Sequence, residues 1–278
     1  MNGWNHPEIA ALVQRALDED IGPGDITSEA TIDASRLARG RFFARQEMIL
    51  AGVELLPLIF ASQGGCGTLT LCKASGDRCH DGDPVAEVHG LARTLLRCER
   101  VALNFMQRLS GVATLASRFA AETAGTSCRI LDTRKTTPGL RRLEKLAAAA
   151  GGVTNHRMGL YDAVLIKNNH ITACGSVTEA VQRALALHSR VECEVRTRAE
   201  LDEALAAGAT HLLLDNLSPE QARLWIEHIN GRATVELSGG ITLATVRAYA
   251  LAGANFVSSG AITHSASAAD LNFRIEFA

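Results

Sequence analysis

From about residue 127 to residue 265 the chain repeats one unit, a short apolar run followed by an alanine-rich helical stretch that closes on glycine. The apolar runs are SCRIL, DAVLIK, RVECEV, THLLLD, ATVEL and NFVSS; the stretches between them include TRAELDEALAAG, SPEQARLWIEHING and TLATVRAYALAG. Glycine at the end of a helical pattern is the usual stop signal. Alternating strand and helix of this period imply a parallel sheet with the helices outside it. Six such units suit an α/β barrel better than a two-sided open sheet.

The organisation differs before residue 110. An amphipathic helix with Ile9, Leu12, Val13, Ala16 and Leu17 on one face opens the chain, and the turn-rich loop DIGPGDITS follows it. Short strand-like runs come next, RGRFFARQEMILAG, GTLTLCKASG and PVAEVHG, and then LARTLLRCERVALNFMQRLSG, whose helical periodicity ends at a glycine. The expected domains are therefore an α+β unit over residues 1–110, joined by the tail 266–278, and an α/β barrel over residues 111–265.

Residues outside the repeat narrow the function. With 28 Lys and Arg against 30 Asp and Glu the formal charge is −2, so there is no global electrostatic footprint for nucleic acid or an anionic membrane. The opening residues lack a secretory pattern and there is no run of 18 apolar residues, which predicts a soluble, cytoplasmic protein. The seven cysteines include no C-x-x-C pair and read as reduced structural thiols; Cys66, Cys72, Cys79 and His80 fit no common zinc spacing.

Any anionic ligand must therefore meet a local cluster, and one is present. Residues 132 to 170 hold Arg134, Lys135, Arg141, Arg142, Lys145, Arg157 and Lys167 against Asp132, Glu144 and Asp162, a net +4, together with His156 and His170. Arg141, Arg142 and Lys145 lie on the predicted helix PGLRRLEKLAAAA and read mainly as its solvated face. Arg134, Lys135, His156, Arg157 and Lys167 come from strand ends and the loops beyond them, where βα-loops converge on the ligand of a barrel. Arg offers carboxylates and phosphates a planar fork, and Lys a movable point charge.

Later strands add the opposite sign. Glu194 lies late in RVECEV and Asp215 ends THLLLD; two carboxylates beside a cationic pocket suggest Mg²⁺ bridging to pyrophosphate, or stabilisation of a developing positive charge. Their plainer alternative is ion pairing with the basic cluster itself. Two glycine loops follow the last strands: ELSGGIT, with Ser238, Gly239 and Gly240, and VSSGAITHS, with Ser258, Ser259, Gly260 and His264. Bare backbone N–H groups between a strand and a helix suit phosphate.

These residues also carry a family resemblance. DTRKTTPGLRRLEK and NHRMGLYDAVLIKNNHI resemble the signature of the quinolinate phosphoribosyltransferases, the carboxylating nicotinate-nucleotide pyrophosphorylases. DEDIGPGDITS, LLRCERVALNFMQRLSGVAT, LLLDN, ELSGGI and GAITHS resemble further family segments in family order, so the likeness spans nearly the whole chain.

The resemblance implies an open, TIM-like α/β barrel with an amino-terminal α+β sandwich domain. It implies that quinolinate and phosphoribosyl pyrophosphate become nicotinate mononucleotide, pyrophosphate and CO₂ in NAD biosynthesis, with Mg²⁺. It also implies a homodimer, or a hexamer built as a trimer of dimers, with the active site shared across the dimer. Carried over position by position, Arg134, His156 and Arg157 would grip the dicarboxylate with Arg100 from the partner subunit, and Thr133 would line the same pocket. Lys135 and Lys167 would serve the carboxylate or pyrophosphate region. Glu194 and Asp215 would lie near the ribose and metal, and Ser238, Gly239, Gly240, Ser259, Gly260 and His264 would hold the 5′-phosphate. Lys135, Lys167, Glu194 and Asp215 are the implied catalytic set. The chain departs from the family pattern at Val153, Asn168 and Ser259. A related barrel transferase with another substrate, and a non-catalytic phosphate-binding barrel, are the alternatives to be separated by assay.

Overall fold

The computed structural model describes residues 3–277; residues 1, 2 and 278, at the outer ends of the expected domains, lie outside the described residues. Along the chain come α1 (Pro7–Ile21), α2 (Ile26–Thr31), β1 (Leu37–Ala44), β2 (Met48–Ile49), α3 (Leu56–Ala61), β3 (Thr68–Leu71), β4 (Arg78–Cys79) and β5 (Pro84–Leu91). The long helix α4 (Ala92–Glu122) follows, then β6 (Arg129–Leu131), α5 (Arg141–Ala150), β7 (Val164–Ile166), α6 (Asn168–Cys174), α7 (Val177–Leu185) and β8 (Val191–Val195). The last third contains α8 (Arg198–Ala206), β9 (His211–Asp215), α9 (Pro219–Ile229), β10 (Thr234–Ser238), α10 (Val246–Leu251), β11 (Phe256–Ser258), α11 (Ala261–His264) and β12 (Leu271–Glu276).

The chain packs as two units. One comprises the residues up to Ser117, Thr137–Gly152 and the segment from Ala266 onward. Its main sheet is antiparallel in the order β12-β1-β5-β3, and β2 pairs with β4 in a separate ribbon. β1 buries alternate residues, Ala38, Gly40, Phe42 and Ala44, as the two-residue period of a one-sided sheet requires. Phe42 meets Phe273 of β12 with ring centroids 4.7 Å apart. α1 opens on Pro7 and buries Ile9, Val13 and Leu17, as its periodicity predicts.

Four local readings differ from the structure. The loop DIGPGDITS already contains the start of α2, because the Asp25 side chain accepts the Ser28 N–H at 3.0 Å and caps a short helix there. α4 does not stop at Gly111. A Cβ on that residue would lie 2.0 Å from the Ser267 carbonyl oxygen, so this glycine is a point of close backbone approach within the helix. α5 packs with the first unit, whereas the expected division placed it in residues 111–265. It is also no solvated basic face: Lys145 is 1% exposed, and the Arg142 guanidinium donates to Glu8 at 2.8 Å. Glu144 on the same helix is also wholly buried and takes the Arg108 guanidinium at 2.6 Å.

The other unit, Arg118–Thr136 and Val153–Ser265, is an open α/β barrel. All six expected strands form and pair in parallel, in the order β6-β11-β10-β9-β8-β7. β6 and β7 are the outer strands of this order. Instead Leu131 makes a parallel bridge to Thr154, whose carbonyl accepts the Asp132 N–H at 3.2 Å. Strand interiors such as Val191, Cys193, Leu212, Leu214, Val235 and Val257 supply the core. Among the described residues no helix is long and apolar enough to cross a membrane.

Candidate active site

Parallel strands point the same way, so residues at their carboxyl ends converge on one rim. β6 runs into Thr133, Arg134 and Lys135; β7 into Lys167; β8 carries Glu194; β9 and β10 end on Asp215 and Ser238; β11 leads to Ser259 and Gly260. These residues, with His156, Arg157, Gly239, Gly240 and His264, line one cavity of about 640 Å³. Every expected site residue except Arg100 is therefore brought together. Arg100 is exposed on α4, in the first unit, and is not part of this lining.

The opposite charges are interleaved. The Lys167 ammonium lies 2.9 Å from Glu194 Oε2, and the Arg196 guanidinium donates to Glu194 Oε1 at 2.9 Å and to Asp215 Oδ2 at 3.2 Å. Asn216 adds a 2.9 Å bond from its N–H to the Ser238 carbonyl and a 2.7 Å bond from Nδ2 to Asp215 Oδ2. Glu194 is 5% exposed, so two cations compensate a carboxylate that has little water of its own. Arg196 and Asn216 stand just beyond the ends of β8 and β9, the same strand-end signal that identified their neighbours.

Carboxylate oxygens are hard donors of the kind Mg²⁺ prefers. Between Glu194 and Asp215, however, Arg196 already bridges the two groups, so this pair does not fit an ion coordinated directly between them.

The loop after Thr154 is tied to β6. Asp132, wholly buried, accepts the His156 N–H and the Asn155 side-chain amide, each at 2.8 Å. The Lys135 backbone is fixed from both sides: its N–H donates to Thr133 Oγ1 at 3.0 Å, and its carbonyl accepts the Thr263 hydroxyl at 2.7 Å. Burial, reinforced by the neighbouring Arg134, lowers the pKa of the Arg157 guanidinium. Two adjacent arginines at the rim are in this way primed for an anionic partner.

Deeper in the barrel, His156 Nε2 lies 3.4 Å from Glu236 and 3.5 Å from Glu192. Burial alone would lower the imidazolium; the two carboxylates outweigh it and push its pKa up to about 9. At the other ring nitrogen the Arg157 N–H donates to Nδ1 at 2.6 Å, which resists protonation there and keeps the ring proton on Nε2. Burial raises the Glu236 carboxyl, and its Oε1 has no hydrogen-bond partner among the described residues. The two glutamates were not among the expected site residues. A charged residue inside an otherwise apolar buried strand, as in ATVEL, is the signal that could have found Glu236.

The glycine loops are built differently from each other. Gly239 and Gly240 hold φ of 101° and 62°, and a Cβ on Gly239 would lie 2.3 Å from Asn216 Oδ1. The loop does not open straight into a helix: α10 begins only at Val246, after a turn in which Thr245 Oγ1 accepts the Thr242 N–H at 3.0 Å. The second loop leads directly from Gly260 into α11. Ser259 is buried and its hydroxyl donates to the Ile241 carbonyl at 2.7 Å, which links the two loops.

The comparisons with known proteins agree with this geometry. The quinolinate phosphoribosyl transferase C-terminal domain family matches residues 112–274, and its N-terminal domain family matches residues 25–110. The chain belongs to the quinolinate phosphoribosyltransferase family. It is 41% identical over 274 residues to a protein of Bacillus subtilis named probable nicotinate-nucleotide pyrophosphorylase [carboxylating], covering 98% of this chain and 94% of that one. A chloroplastic nicotinate-nucleotide pyrophosphorylase [carboxylating] of Arabidopsis thaliana is 40% identical, over 98% of this chain and 84% of its own length. The solved nicotinate-nucleotide pyrophosphorylase of Francisella tularensis superposes with a TM-score of 0.93 at 35% identity, covering 99% of both chains. Family membership thus accounts for both units of the chain, the open barrel and the antiparallel sheet domain alike.

Proposed function

We propose that this chain is a decarboxylating quinolinate phosphoribosyltransferase: it joins the ring nitrogen of quinolinate to the anomeric carbon of phosphoribosyl pyrophosphate, releases pyrophosphate and CO₂, and forms nicotinate mononucleotide for NAD biosynthesis. The observation that carries the reading is the single cavity in which cationic, carboxylate and glycine-loop surfaces meet.

Each surface has a task. Arg134, Arg157 and His156 receive the two carboxylates of the substrate, and Lys135 and Lys167 face the pyrophosphate. Ser238, Gly239, Gly240, Gly260 and His264 take the 5′-phosphate. Displacement of pyrophosphate builds positive charge on the ribose, which Glu194 and Asp215 stabilise from fixed positions. Ribosylation then leaves a cationic ring that accepts the electrons released as CO₂ departs. Mg²⁺ carried on the pyrophosphate would supply further neutralising charge there, because Arg196 occupies the space between Glu194 and Asp215. We assign the protein to the cytoplasm, as a homodimer or a trimer of dimers whose site is completed by Arg100 of the partner.

The test is product formation from quinolinate or nicotinate with phosphoribosyl pyrophosphate, with and without Mg²⁺. Pyrophosphate and CO₂ released in equal amounts from quinolinate support the assignment. Turnover of nicotinate alone assigns the chain to a related transferase, and absence of pyrophosphate release makes it a binding protein.

A further inference from the structure

Arg196 lines the cavity at the carboxyl rim, one residue beyond the end of β8. Its main chain is fixed there, because its N–H donates at 2.7 Å to Glu200 Oε2, in the first turn of α8. The side chain is 47% exposed, yet its guanidinium has a defined seat between carboxylates on two neighbouring strands. Nη2 donates to Glu194 Oε1 at 2.9 Å and Nε to Asp215 Oδ2 at 3.2 Å. A planar fork can span two acceptors in this way; a point charge such as a lysine ammonium cannot match it.

The seat is the one a divalent ion held by the protein would need. Mg²⁺ takes near-octahedral oxygen ligands at about 2.0–2.1 Å and needs carboxylate lone pairs open to it. Three of the four carboxylate oxygens are already engaged: Glu194 Oε1 by Arg196, Glu194 Oε2 by Lys167, and Asp215 Oδ2 by both Arg196 and Asn216. The two carboxylates face two cations, Lys167 and Arg196, so the group has no net charge with which to attract a metal. Nη1 of Arg196 is differently placed. It donates to no acceptor among the described residues, so its two N–H groups remain for a ligand.

We propose that Arg196 takes the place of a protein-held divalent ion between Glu194 and Asp215 and binds the pyrophosphate of phosphoribosyl pyrophosphate. The carboxylate pair is neutralised by the chain itself in the free protein, and a divalent ion reaches the site on the substrate. The guanidinium suits the second task, since phosphate oxygens accept its N–H groups and it stays charged at any working pH. The contact with pyrophosphate rests on the transferase activity proposed above; the exclusion of a protein-held ion does not.

The first readout needs no turnover. Mn²⁺ shares the oxygen-ligand preference of Mg²⁺ and is followed by electron paramagnetic resonance as it is titrated into the substrate-free protein. Arg196→Ala should bind Mn²⁺ about 10-fold more tightly than the wild type, and Asp215→Asn added to the same chain should abolish the gain. Equal binding by the wild type and Arg196→Ala overturns the exclusion. If Arg196→Ala does not fold, the wild type and Asp215→Asn decide: Mn²⁺ binding that is lost with Asp215 overturns the exclusion, and no difference supports it. The second readout is steady-state kinetics. Arg196→Ala should raise KM for phosphoribosyl pyrophosphate by about 10- to 100-fold, and KM for quinolinate by no more than about twofold. A KM for phosphoribosyl pyrophosphate that is unchanged, or that rises only in step with the other, overturns the pyrophosphate contact. A wild type that releases no pyrophosphate refutes the activity instead and leaves the Mn²⁺ result standing.

Discussion

The ammonium of Lys167 lies 2.9 Å from Glu194 Oε2, across the ends of two neighbouring strands. With Arg196 on the other oxygen, Glu194 is fully compensated before substrate arrives. In the proposed reaction an anionic pyrophosphate would compete for both cations, and its binding would free Glu194 to act on the positive charge that develops on the ribose. Glu194→Gln should lower kcat by about 10² to 10³. Thermal stability should change little, because both cations are about half exposed and can be solvated. Steady-state kinetics and a melting curve check both; an unchanged kcat would remove Glu194 from the chemistry.

Gly239 tests the phosphate loop. An alanine there must adopt φ near 101° and must place its Cβ 2.3 Å from Asn216 Oδ1 and 2.7 Å from the Asn216 nitrogen. Asn216 is itself held in a left-handed conformation and orients Asp215, so displacing it disturbs both residues at once. Gly239→Ala should cost roughly 1–3 kcal/mol of stability. It should also raise KM for phosphoribosyl pyrophosphate more than KM for quinolinate. A variant whose two KM values rise together would place the loop elsewhere in the site.

The strand ends explain how much of this site was legible in sequence. In a parallel barrel, period and position settle which residues face the rim, so Arg134, Lys135, Lys167, Glu194 and Asp215 could be placed by counting along βα units. Arg100 entered only by family likeness, since its surroundings read as ordinary helix surface. Glu236 and Glu192 escape such counting because both sit inside strands whose apolar neighbours suggest a dry core. Lys145 reads as solvated surface for the converse reason: helical spacing shows which residues share a face, and tertiary packing decides whether that face is covered. Gly111 shows the same limit, because a close approach by the segment at Ser267 cannot be seen within a helix of ordinary composition.

His156 gives the fold a pH dependence with a defined sign. Its folded pKa of about 9 lies above the ordinary value of 6.5, so its contribution to stability is complete below pH 6.5 and is lost as pH rises through 9. Glu236, also raised, acts in the same direction from its own lower starting value. Full protonation of the ring requires Arg157 to release Nδ1, which makes the slope shallower than two carboxylates alone would give. Denaturation midpoints measured from pH 6 to 9.5 should fall for the wild type, and His156→Gln should flatten the curve. Parallel curves for the two proteins would mean that His156 is neutral throughout.

Arg100 and Lys135 provide the test of a site shared between subunits. Lys135 lines the cavity of its own chain, whereas Arg100 is exposed on α4 and absent from that lining. If Arg100 serves the partner's site, Arg100→Ala and Lys135→Ala proteins are each inactive when pure. A mixed dimer then has one site carrying both substitutions and one carrying neither. With random exchange half the dimers are mixed, so activity should recover to about a quarter of the wild-type level at equal total protein. Recovery must follow the measured extent of exchange and vanish when the subunits are cross-linked before mixing. Full exchange without recovery would confine Arg100 to a role within its own chain, and the cationic grip on the dicarboxylate would then rest on Arg134, Arg157 and His156.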